Sequence, residues 1–92
     1  MRKIHLTAPF RRDLKKIKRS KELNPDDLDA AVALLAGDSP LPEHYCDHPL
    51  VGEWRRIKAR DCHIAPDILL IYAKPPGELR LLRLGSHSEL FK

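Results

Sequence analysis

Ninety-two residues, 42% of them hydrophobic and 33% charged, suit one compact folded domain and exclude both a disordered chain and a two-domain one. With no run of about 18 apolar residues, a membrane-spanning helix is excluded as well. The net charge of +4 resolves into +7 over residues 1–23, −7 over 24–53 and +4 over 54–92. Basic ends around an acidic middle can build one positive surface, which suits a polyanionic partner; a merely solvated surface is the other reading.

In chain order, Lys3–Leu6 alternates polar and apolar residues and reads as a first strand. Thr7 is placed to cap a helix that tolerates Pro9 in its first turn. Phe10, Leu14 and Ile17 form its apolar stripe, and Arg11, Arg12, Lys15, Lys16, Lys18 and Arg19 make the rest of its surface cationic. Asn24-Pro25-Asp26-Asp27 starts a second helix, with a capping Asn and carboxylates at the positive end of the dipole. Leu28, Ala31, Val32, Leu34 and Leu35 supply its buried face, and Gly37 is expected to end it in the left-handed conformation. The short link between the helices predicts an antiparallel hairpin.

Residues 38–52 hold three prolines and read as an ordered loop. Trp54–Ala59 is expected as a strand, 60–67 as a connection, and Ile68–Ala73 as a central strand covered on both sides. Pro75-Pro76-Gly77 is a turn that returns Leu79–Leu84 as a hairpin partner. The sum is a single α+β domain over 1–92, an N-terminal strand and helical hairpin packed on a small, mostly antiparallel sheet.

The N-terminus has a basic start with no apolar stretch behind it, so no secretory signal is expected. Cys46 and Cys62, without C-x-x-C spacing, read as free thiols in a reducing cytosol, and the chain is placed in the cytoplasm with no membrane partner. His48, His63 and His87 are each expected just outside a strand, His63 lying between Asp61 and Asp67. Imidazoles and carboxylates gathered at one mouth of a sheet can move protons near neutral pH, and loop caps are the alternative. His44, Cys46, His48, Cys62 and His63 are zinc-ligand types, but their spacings match no common zinc pattern, so no metal is expected. Lys58, Arg60, Arg80 and Arg83 offer groups for phosphate oxygens. Strand alternation sets Arg80 and Arg83 on opposite faces, and Arg83 is the preferred site residue.

Three motifs then stand in order: D-H-P-L-x-G-x-W at Asp47–Trp54, R-D-x-H-x-x-P-D at Arg60–Asp67 followed by Ile71-Tyr72, and R-x-G-x-H-x-x-L-F at Arg83–Phe91. With them the chain resembles the YafQ branch of the RelE/ParE toxin superfamily over nearly its whole length. Between Trp54 and Arg60 it departs from that pattern by being a little longer, which leaves the placement of Lys58 and Arg60 open.

The resemblance implies a RelE-like, microbial-RNase-like sheet and ribosome-dependent cleavage of messenger RNA without cofactor or metal. It implies a site of His48, Asp61, His63, Asp67 and His87, with His87 as general acid, His63 or Asp67 supplying or orienting the base, and His48 positioning the phosphate. Arg83, Lys58 and Arg60 would face the substrate, Phe91 would stack on a base, and the cationic first helix would grip the ribosome. Its partners would be ribosome, message and a cognate antitoxin of ribbon-helix-helix type. A gyrase-inhibiting toxin of the ParE kind on the same fold, or a nucleic-acid-binding module without catalysis, are the rival expectations.

Overall fold

The computed structural model describes residues 1–91 and has a five-stranded sheet covered on one face by two helices. The strands are β1 (Lys3–Leu6), β2 (His48–Pro49), β3 (Arg60–Ala65), β4 (Ile68–Ala73) and β5 (Glu78–Gly85), in the spatial order β1-β5-β4-β3-β2. β1 runs parallel to β5 and every other pairing is antiparallel. The helices are α1 (Ala8–Ser20), α2 (Pro25–Ala36) and a final turn, α3 (His87–Leu90).

Local chemistry sets most of these boundaries. The Thr7 hydroxyl accepts from Phe10 N, and Asn24 Oδ1 accepts from Asp26 N, closing the first turns of α1 and α2. Phe10 and Ile17 of α1 and Leu28, Ala31 and Leu35 of α2 bury against Cys62, Ile64, Leu70, Tyr72, Leu79, Leu81 and Leu84. β4 is buried along its whole length, as its continuous apolar run requires. The opposite face is open, with a smaller apolar cluster of Ala59, Leu69, Ile71 and Leu90 flanked by Leu50, Trp54, Leu82 and Phe91.

The structure corrects several expectations. Trp54–Ala59 is not a strand: Gly52–Ile57 forms a 3-10 segment that ends at left-handed Lys58, and the strand is Arg60–Ala65, inside the stretch read as a connection. Trp54 and Ile57 recur at a helical interval, whereas Cys62 and Ile64 alternate with Asp61 and His63 at strand interval. Within 38–52 lie a 3-10 turn at Glu43–Tyr45 and the short strand β2. Gly37 ends α2 at φ −87°, and Asp38 takes the left-handed conformation instead.

β5 carries a bulge. Tyr72 opposes Leu81 while Ile71 opposes Arg83, so Leu82 is the extra residue. Arg80 opposes Ala73, two residues along β4 from Ile71. Arg80 and Arg83 therefore share the open face, contrary to strict alternation.

Beyond Leu81, β5 has no strand on its outer side among the described residues, because β1 ends at Leu6. The Thr7 hydroxyl and Asp13 of α1 take over there: the hydroxyl bonds the Leu81 and Leu82 carbonyls, and the Asp13 carboxylate accepts from Leu84 N at 3.0 Å.

Candidate active site

The register of the sheet assembles the site. His48 of β2 opposes Asp61 of β3, Asp61 opposes Ile71 of β4, and Ile71 opposes Arg83 of β5, giving one row across the open face. His63 opposes Leu69, which opposes Gly85, giving the next row. His87 follows two residues after Gly85. Histidines from three separate motifs thus reach one face over an apolar floor.

Asp61 lies deepest, with only 3% of its surface exposed. His48 Nδ1 stands 2.8 Å from its Oδ1, and the same nitrogen lies 3.0 Å from the Cys46 carbonyl. The hydrogen bond of this nitrogen is the one with the Cys46 carbonyl, and Asp61 Oδ1 is left without a hydrogen bond among the described residues. Burial pushes the Asp61 carboxyl above its ordinary range, and the charges of His48, His63 and His87 draw it back. His48 is in direct contact with this buried carboxylate, and such a pair has the groups to hold and pass a proton.

His87 is exposed on α3, its ring 5.0 Å from that of Phe91 at a 45° tilt. Ser86 and Glu89 close a capping box around that turn, and Leu90 seats it on the apolar floor. Glu89 also pairs with Lys16 of α1 at 2.6 Å, which holds its carboxyl down at about 2.

Arg83 forks onto Asp13, with Nε at 2.7 Å and Nη2 at 3.2 Å. Arg60 faces the other side of the sheet, opposite Tyr72; its guanidinium and the Tyr72 hydroxyl are both held by Asp47. Lys58 is exposed at the end of the 3-10 segment. Asp67 is exposed in the β3–β4 turn, and among the described residues it makes no side-chain hydrogen bond or ion pair with the histidines. Arg11, Arg12, Lys15, Lys16, Lys18 and Arg19 are all exposed on α1.

Asp13 and Asp47 are anchors that sequence reasoning missed. Asp47 opens the first motif and Tyr72 closes the second, so a signal existed for that pair. Asp13 and Arg83 are 70 positions apart, and no local pattern joins them. Cys46 and Cys62 are unpaired; the Cys62 thiol is buried and pushed up to about 12. No group of three or more His, Cys, Asp or Glu is placed to hold a metal among the described residues. No helix among them is long and apolar enough to cross a membrane.

Residues 2–92 match the family described as a bacterial toxin of type II toxin–antitoxin systems, YafQ. The chain is 39% identical over 92 residues to the mRNA interferase toxin YafQ of Escherichia coli K12, covering 98% of this chain and 96% of that protein. Its structure is similar to that of a copper-bound mutant toxin from Helicobacter pylori, with a TM-score of 0.91 and 40% identity over 99% of this chain and 100% of that one. It is also similar to a chain of the E. coli DinJ–YafQ complex, with a TM-score of 0.88 and 34% identity over the full length of both.

Proposed function

Because the chain belongs to the YafQ family of type II toxin–antitoxin toxins, we propose that its open sheet face is the active site of an mRNA interferase. This endoribonuclease has an antitoxin partner with which it forms a heteromeric complex, as the E. coli relative does with DinJ. The observation that carries the reading is the buried Asp61 beneath His48, with His63 and His87 bordering the same apolar floor.

The proposed reaction is transesterification. His63 takes the proton of a ribose 2′-hydroxyl, whose oxygen attacks the adjacent phosphorus. The P–O5′ bond breaks, and His87, exposed at the mouth, protonates the departing oxygen. The products are a 2′,3′-cyclic phosphate and a 5′-hydroxyl. His48, steadied by Asp61, faces the phosphate. Arg83, whose Nε and Nη2 are occupied by Asp13, offers its remaining N–H groups to the developing charge. Phe91 supplies a stacking surface for a base.

Arg60 and Asp67 play lesser parts in this scheme, since one is committed to Asp47 and the other lies exposed in a turn. The enzyme acts in the cytoplasm on ribosome-bound message, with the α1 cations gripping ribosomal RNA and the ribosome presenting the codon in attack geometry. The antitoxin is of the ribbon-helix-helix type.

The test is His87→Ala, assayed by primer extension on ribosome-bound message with circular dichroism as folding control. Loss of one proton-transfer group lowers cleavage by roughly 100- to 10,000-fold. Full cleavage by a folded variant removes His87 from the mechanism. Unchanged DNA supercoiling during induction of the parent separates this reading from a gyrase inhibitor.

A further inference from the structure

At the end of the open face away from His87 lies a groove of about 720 Å³, lined by Arg2, Arg56, Lys58, Arg60, Lys74 and Arg80. Ala73 and Leu82 form its floor, Ile57, Pro75 and Pro76 its apolar walls, and no carboxylate among the described residues lines it. Arg2 and Lys74 both rest on Asp38, at 2.7 and 3.3 Å, and Arg60 borders the groove with its guanidinium turned to Asp47, at 3.1 Å, on the other side of the sheet. Arg56, Lys58 and Arg80 are exposed, and among the described residues they enter no ion pair. Three unpaired cations beside apolar walls, with Arg2 and Lys74 held by Asp38 at the rim, suit a chain of phosphates whose bases lie against the walls.

The groove is continuous with the active site. Arg80 opposes Ala73 and Arg83 opposes Ile71. These rows are two residues apart on β4, about 7 Å. Leu82 belongs both to the groove and to the apolar floor beneath the histidines.

We propose that this groove is a subsite for the phosphodiester backbone of the single-stranded message flanking the scissile phosphate. The inference rests on the ribonuclease function proposed above. It assigns Arg56, Lys58 and Arg80 to the substrate strand, and it leaves ribosomal RNA to the separate cationic face of α1.

The test uses the full-length protein carrying His87→Gln, labelled with nitrogen-15, and single-stranded RNA oligonucleotides with a 2′-deoxy nucleotide at the cleavage position. A short oligonucleotide shifts the amide resonances around His48 and His63. Extending it on one side adds shifts at Arg56, Lys58 and Arg80 and tightens binding. Replacing those three residues together by alanine abolishes the gain from extension. It also lowers the salt slope by about 2, which is roughly a 20-fold smaller loss of affinity between about 50 and 200 mM salt. Binding of the triple variant to ribosomes without message stays at the parental level.

Shifts at His48 and His63 with a silent groove at every length overturn the inference and leave the ribonuclease function standing. No shift anywhere overturns both. Weakened binding to message-free ribosomes with unchanged oligonucleotide binding assigns the groove to ribosomal RNA and overturns the inference. A groove that responds to the antitoxin alone overturns it as well.

Discussion

Asp13→Ala should destabilise this domain more than any other single change on the exposed side of α1. The Asp13 carboxylate accepts from Leu84 N at 3.0 Å and from Arg83 Nε and Nη2 at 2.7 and 3.2 Å. It therefore satisfies the outer edge of β5 where β1 has ended. Leaving the Leu84 N–H unpaired costs about 1–3 kcal/mol. The ion pair, with side chains 17% and 32% exposed, adds only about 0.5–1 kcal/mol after solvent screening. The total is about 2–4 kcal/mol. In a domain of this size that lowers Tm by about 10–20 °C. Asp13→Asn keeps an acceptor for Leu84 N and loses the charge, so its drop should be less than half as large. Thermal unfolding followed by circular dichroism measures both. Cleavage should also fall in the alanine variant at temperatures where it is folded, because Arg83 is no longer held. An alanine variant within about 2 °C of the parent, or an asparagine variant equally damaged, refutes the anchoring role.

Asp61→Asn should raise Tm at pH 7 while lowering cleavage. Burial raises the Asp61 pKa, so its favourable contribution is full below the ordinary value of 3.8 and is lost as pH rises through the folded value. The gap between variant and parent should close as pH falls toward 4, and a parent more stable than the variant at pH 7 shows that the His48 contact outweighs desolvation. Tyr72→Phe removes a buried hydroxyl donor to Asp47 and should cost about 1 kcal/mol in urea unfolding; an unchanged midpoint contradicts the bond. Glu89, held at about 2 chiefly by Lys16, contributes stability above its ordinary value of 4.5 that is lost as pH falls toward 2. Because the pair is exposed, Glu89→Gln should flatten the acid limb of the Tm profile only slightly, and an unchanged limb assigns that acid sensitivity to other groups.

The elements with a single demand on each residue were legible in the sequence. α1, α2 and β4 present one apolar period to one core, and their caps are local. β3 was not legible, because Asp61 and His63 occupy positions on the second face where a packing strand would carry apolar residues. The site thus hid the strand that bears it. The β5 bulge at Leu82 escaped for a different reason: a register shift is a property of two strands and leaves no mark on one. α3 had a signal, Ser86 three residues before Glu89, but one turn has no periodicity to confirm it. The histidines of the site stood out by number and motif, whereas their anchors Asp13 and Asp47 are single acids whose partners lie far along the chain.

The central claim, that the open face performs acid–base transesterification through the 2′-hydroxyl, meets its most direct test in the chemistry of the cut. Ribosome-bound message carrying a 2′-deoxy nucleotide at the cleavage position should resist the parental protein. The all-ribose message should yield a 2′,3′-cyclic phosphate and a 5′-hydroxyl, read by mass spectrometry of the fragments. Cleavage of the deoxy-substituted message, or ends bearing a 5′-phosphate, would mean that water attacks the phosphate and that these residues do not act as proposed.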